Sequence, residues 1–163
     1  MLSGESAMGA FPVEAVRMLA SIATEVEATR RQVNVNEMFA GVDLAGKVLP
    51  VHLILVSIEA SLHYLKPAAV FTLTDDGNFA RRLSAFRLPV WTAAITPTNK
   101  TAQGLLFSSG VLPIHQPDAP ASWIGYISDW VRRNELPGAF AILAQPPSPN
   151  AAESSHRMEI IDL

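Results

Sequence analysis

The chain contains no cysteine, which excludes disulfides, thiolate metal sites and a cysteine nucleophile together. Charge is scarce as well. Charged residues make up 17% of 163, and 12 Lys and Arg against 15 Asp and Glu leave a net charge of −3 with no long run of either sign. No basic footprint for nucleic acid is visible, so nucleic-acid binding is not expected. The four histidines, His52, His63, His115 and His156, lack metal-ligand spacing. His52 and His63 stand eleven apart, about three helical turns, so they share a helix face but cannot share an ion. No metal site is expected in this chain.

A leader or a membrane span is also not expected. Glu5 with no early Lys or Arg, and Gly4, Gly9 and Pro12 breaking the first apolar run, do not make a secretory signal. The most apolar stretch, VLPVHLILVSIEASLHYL, is interrupted by Pro50, His52, Glu59 and His63 and reads as a buried helix. A cytoplasmic setting follows as the expectation.

What is present is apolar. At 49% hydrophobic the chain exceeds a typical soluble domain of its size, which hints at apolar surface meant for a partner. Phe11 to about Arg31 has helical spacing, with Val13, Val16, Leu19, Ala23 and Val26 on one stripe. Pro12 suits the first turn and Glu14 sits near the positive end of the dipole. The connector QVNVNEMFAGVDLAGK carries mixed signals. Pro50 to Leu65 is a second helix, stopped by Lys66-Pro67.

From there strands and helices alternate. AAVFTLT reads as a strand buried on both faces, followed by the turn residues DDGN. Helices are expected at 78–86, 100–108 and 121–135, and strands at 90–96, 111–115 and 139–144. After the Pro-rich QPPSPNAAESS comes RMEIIDL, too close to its predecessor for a crossover helix and therefore an antiparallel edge strand. The expected fold is α/β: a three-layer domain with a mostly parallel five-stranded sheet, its last strand antiparallel at the edge, preceded by an N-terminal helix. Residues 1–48 form a first segment and 49–163 the α/β domain. Trp123, Ile127 and Trp130 form one helical stripe, a core face first and an interface stripe second.

These residues resemble a known family. MLSGESAMGAFPVEAV is similar to the stretch that closes the catalytic barrel of pyruvate kinase, where MLSGE(T/S)A-x-G-x-(Y/F)P-x-EAV joins the eighth strand to the eighth helix. VSIEAS, LTDDG, ARRLSAFR, AAIT and GVLPI, in that order, resemble the C-terminal domain of the same family. The resemblance covers almost the whole chain and weakens in the connector and from Gln116 onward. It implies that Met1 to about Val33 is the last strand-helix piece of a barrel whose other strands are not in this sequence, either because the sequence starts at a convenient Met within a longer parent or because a gene encodes this portion alone.

The resemblance implies catalytic positions for Ser3 and Glu5, lining the phosphoryl-transfer pocket only within a complete barrel. The divalent metal and the cations that transfer needs come from the missing barrel, so no cofactor is expected in this chain, while Mg and K are implied for a full-length parent. A polar turn before a helix is the bland alternative for SGES.

LTDDGNFARR is a strand end, a turn and a helix start, and ligand binding at Thr72, Thr74, Gly77, Asn78 and Thr96 is one reading, by the rule that open parallel sheets bind ligands at strand C-termini. A capped turn is the other. In family members regulated by fructose bisphosphate the corresponding loop holds an effector phosphate. Here Asp75 and Asp76 stand where a phosphate would sit, and AQPPSPN lacks the Trp and Arg of the family's second effector loop, so fructose bisphosphate is disfavoured. A different small phosphorylated effector stays open.

The expected role is a C-terminal regulatory and oligomerisation domain, inactive alone and assembled as a homo-oligomer. The alternatives are a free-standing module binding a phosphorylated metabolite, and, third, an independent enzyme using Ser3, Glu5 or Asp76.

Overall fold

The computed structural model describes residues 1–29, 50–147 and 155–163. The chain divides into two compact units, Met1–Arg31 and Gln32–Leu163. The connector and the boundary expected near residue 48 lie outside the described residues.

In the first unit, a one-turn helix α1 (Gly4–Ala7) precedes α2 (Pro12–Ala28). The sequence reading had a polar turn in place of α1. Glu5 makes the difference: its carboxylate accepts the Ser3 backbone N–H at 3.0 Å, while the Ser3 carbonyl accepts from Ala7 at 3.0 Å. Pro12 occupies the first turn of α2, where its missing N–H costs nothing. No residue of α2 is buried, so the stripe of Val13, Val16, Leu19 and Val26 is exposed.

The second unit carries the sheet. Its elements are α3 (Pro50–Tyr64), β1 (Val70–Leu73), α4 (Asn78–Ala85), β2 (Thr92–Thr96), α5 (Asn99–Leu105), β3 (Val111–His115), α6 (Trp123–Arg133), β4 (Phe140–Gln145) and β5 (Arg157–Asp162). Strand order is β3-β2-β1-β4-β5, parallel throughout except for the antiparallel β4–β5 pair. The last strand is thus the antiparallel edge that its short connection required.

Residue parity along the strands sorts the side chains into two cores. Phe71, Ala93, Ile95, Ala141 and Leu143 face α6, where Ile127 and Val131 bury against them. Val70, Ile142 and Ala144 point the other way, onto Leu55 and Ile58 of α3 and Phe79 and Leu83 of α4. Ala94 and Val111 meet Ala80 and Leu105, which places α5 on that second face too. Three layers result because every central strand is apolar on both sides.

The tryptophan stripe joins the core. Trp130 meets Phe71 edge-on, with ring centroids 5.4 Å apart and planes at 86°, a geometry worth about 0.5–1.5 kcal/mol beyond area burial. Helix α6 begins at Trp123 rather than Ala121 because the Ser122 hydroxyl accepts the Gly125 N–H and caps the helix there.

Candidate functional site

Sheet order creates the site. From β1 the chain proceeds outward through β2 and β3, then returns to place β4 on the opposite side of β1. A crevice opens at that switch point, beyond the C-terminal ends of β1 and β4. Its volume is about 440 Å³, within the size range of small-molecule sites.

Three groups of residues surround the crevice. Leu73, Thr74, Asp75 and Asp76 come from the end of β1 and its turn. Asn78, Phe79 and Arg82 come from α4, with Val51 of α3 beside them. Gln145, His156 and Arg157 form the β4–β5 wall.

The turn satisfies its own polar groups. Gly77 sits at φ +77°, a left-handed conformation that glycine takes without strain. Its N–H donates to the buried Thr74 hydroxyl at 2.9 Å. The Asp76 carboxylate accepts the Asn78 backbone N–H at 2.9 Å and the Asn78 side-chain amide as well. An oxygen acceptor at a helix start is what a bound anion would otherwise supply. On the same wall, the Arg82 guanidinium donates to His52 Nε2 at 2.9 Å. A guanidinium has no acceptor, so Nε2 is the lone-pair nitrogen in this contact.

The opposite wall is different. Among the described residues, His156 Nδ1 is buried without a hydrogen-bond partner. Among the described residues, the Arg157 side chain makes no hydrogen bond or ion pair.

The positions singled out from the sequence divide. Thr74 and Asn78 line the crevice, whereas Thr72, Gly77 and Thr96 do not. Thr72 is buried within β1, with its hydroxyl 3.5 Å from the Leu73 carbonyl. Thr96 is buried at the end of β2, where a hydroxyl chain continues through Thr98 to Thr101, and Thr101 donates to the Asp75 carbonyl at 2.8 Å. That chain ties the end of β2 to the β1 turn. Arg82, His156 and Arg157 were not singled out as ligand positions. The sequence offered no signal for the last two, which reach the crevice through strand pairing.

Ser3 and Glu5 lie in the first unit and are exposed. The Glu5 carboxyl is held below its ordinary value by hydrogen bonds from its own backbone N–H and that of Ser3. Among the described residues, no three His, Asp or Glu side chains are grouped to hold a metal ion. No helix among the described residues is long and apolar enough to cross a membrane.

No family model matches the chain. Individual relatives do. It is 36% identical to pyruvate kinase of Clostridium acetobutylicum over 114 residues, 70% of this chain and 24% of that protein. It is 37% identical to pyruvate kinase PKLR of Rattus norvegicus over 126 residues, 76% of this chain and 21% of that one. Among solved structures, Cryptosporidium parvum pyruvate kinase in complex with ADP superposes on 99% of this chain and 33% of its own, with a TM-score of 0.73 and 25% identity. The chain thus spans about a quarter of the length of the curated relatives it matches.

Proposed function

Since the chain is related to the pyruvate kinases in both sequence and fold, we propose that it is the C-terminal regulatory and oligomerisation domain of such a kinase, whose parent reaction turns phosphoenolpyruvate and ADP into pyruvate and ATP. Alone it does not catalyse. The observation that carries the reading is the coverage: a solved pyruvate kinase matches 99% of this chain with one third of its own. The exposed stripe of α2 supports it, since an amphipathic helix with no buried residue needs a covering surface, and a barrel would supply one.

Assembly is part of the proposal. Strand β5 is a sheet edge with Ile160 half exposed, and a second copy pairing there in a cytoplasmic homodimer would satisfy the edge. Ile160→Pro removes a backbone donor and is expected to convert a dimer to monomer by light scattering. An unchanged mass overturns that interface. For the role itself, the 163-residue chain is mixed with phosphoenolpyruvate, ADP, Mg and K. No pyruvate is expected, and its formation overturns the reading.

The crevice favours a second reading, a free-standing module that binds a small metabolite at the switch point. Fructose bisphosphate is disfavoured there, because Asp76 already occupies the helix start and Asp75 adds a second negative charge.

A further inference from the structure

Pro113 stands in the middle of β3, one of the two edge strands of the sheet. The register fixes which way each backbone group of that strand points. Thr92 donates to the Gly110 carbonyl and Gln116 donates to that of Thr96, both at 2.9 Å, so along the parallel ladder Leu112 and Ile114 turn their backbone groups to β2. Val111, Pro113 and His115 turn theirs outward.

That outward row has almost no donors. The Val111 N–H donates to the Ser108 carbonyl at 3.2 Å, proline has no N–H, and among the described residues only His115 keeps an outward amide for another strand. The other edge is built differently. On β5 the Leu163 N–H donates to the Ala139 carbonyl at 3.0 Å, and the antiparallel register then turns the amides of Met158, Ile160 and Asp162 outward.

The closed edge is the one that most needs closing. VLPIH holds no Asp, Glu, Lys or Arg, carries the β-branched Val111 and Ile114, and leaves Leu112 40% exposed. Without its proline, such a strand would be a template for its own kind. We propose that Pro113 shuts the β3 edge against strand addition, so that a copy joined to another through β5 cannot recruit a third through β3. The limit to two copies rests on the β5 interface proposed above, whereas the closure of β3 stands apart from it.

The test restores the missing amide in the 163-residue chain. Pro113→Val does so with a side chain near proline in size, and Pro113→Ala with a smaller one should valine crowd Ala94 beside it. A two-fold pair of β3 strands gains one hydrogen bond from each copy, so light scattering should detect further association at concentrations lower by about tenfold or more than in the parent chain. Hydrogen exchange should find the new amide at position 113 fast in dilute solution and protected in the associated species.

Ile160→Pro separates the two edges. Added to Pro113→Val, it should stop growth at two copies. If it alters the mass of neither the parent nor the variant, the β5 interface falls and the closure of β3 stands.

Three results overturn the proposal. One is that the folded Pro113 variants keep the parent's mass throughout the concentration series. Another is that mass rises while the amide at position 113 still exchanges fast, which places the growth elsewhere. The third needs no variant: a Val111 amide that exchanges freely in the parent chain would leave the edge open whatever Pro113 does.

Discussion

The Asp76 carboxylate accepts the backbone N–H of Asn78 at 2.9 Å and closes the start of helix α4 from within the chain. A residue that the sequence offers as an obstacle to anions is, in the fold, a substitute for one. Asp76 stands one residue before the N-cap, Gly77, so Asp76→Ala should lower stability by about 0.5–1.5 kcal/mol, the net worth of a single hydrogen bond. Asp76→Asn keeps an oxygen acceptor and should cost less. Urea midpoints of the two variants check the order, and equal losses would show that charge, rather than the hydrogen bond, matters there.

Trp130 should carry more of the core than its partner along the helix. It meets Phe71, which is fully buried, whereas Trp123 meets Tyr126 at 5.7 Å. Trp130→Ala should cost about 2–4 kcal/mol, somewhat under the range for a fully buried tryptophan, because Trp130 is half-buried. Trp123→Ala should cost less, and chemical denaturation of both variants decides the ranking.

Gly138 leads into β4 at φ +143°, and a Cβ built on it would lie 2.7 Å from the Ala68 backbone nitrogen. That nitrogen donates to the Phe140 carbonyl at 2.7 Å, at the entry to the β1–β4 pair. Gly138→Ala is expected to destabilise by about 1–3 kcal/mol through strain and the displaced contact. A Tm unchanged from the parent chain would mean that the loop relaxes freely.

Glu5 should titrate below an ordinary glutamate when followed by NMR of its carboxyl carbon. Its folded value is lowered by backbone hydrogen bonds, so the contribution to α1 is present above the unfolded value and fades as pH falls through the folded one. Ser3→Pro removes the donor N–H and should move the midpoint back up.

Most of the second unit was legible because its signals are local. Val70 and Phe71 announce a strand buried on both faces, Lys66-Pro67 ends a helix, and Trp123, Ile127 and Trp130 fall on one face at helical spacing. The turn at Asp75–Asn78 was legible too, since Asx and glycine chemistry acts over two or three residues. The short helix α1 was not, because it depends on one carboxylate reaching back to Ser3, a contact that several conformers of a polar turn compete with.

The amino-acid sequence by itself determined the elements of the second unit, their apolar faces, the antiparallel last strand and the kinship to pyruvate kinases, all of which are written in windows of a few residues or in motifs. Tertiary structure decided what those windows cannot hold. Strand order sets Val70 beside Ile142 and brings Arg157 and His156 to the turn at Asp76. Pairing across such separations is selected by the whole sheet's burial rather than by any local preference. The crevice, and the contrast between its satisfied α4 wall and its unsatisfied β5 wall, exist only once that order is in place.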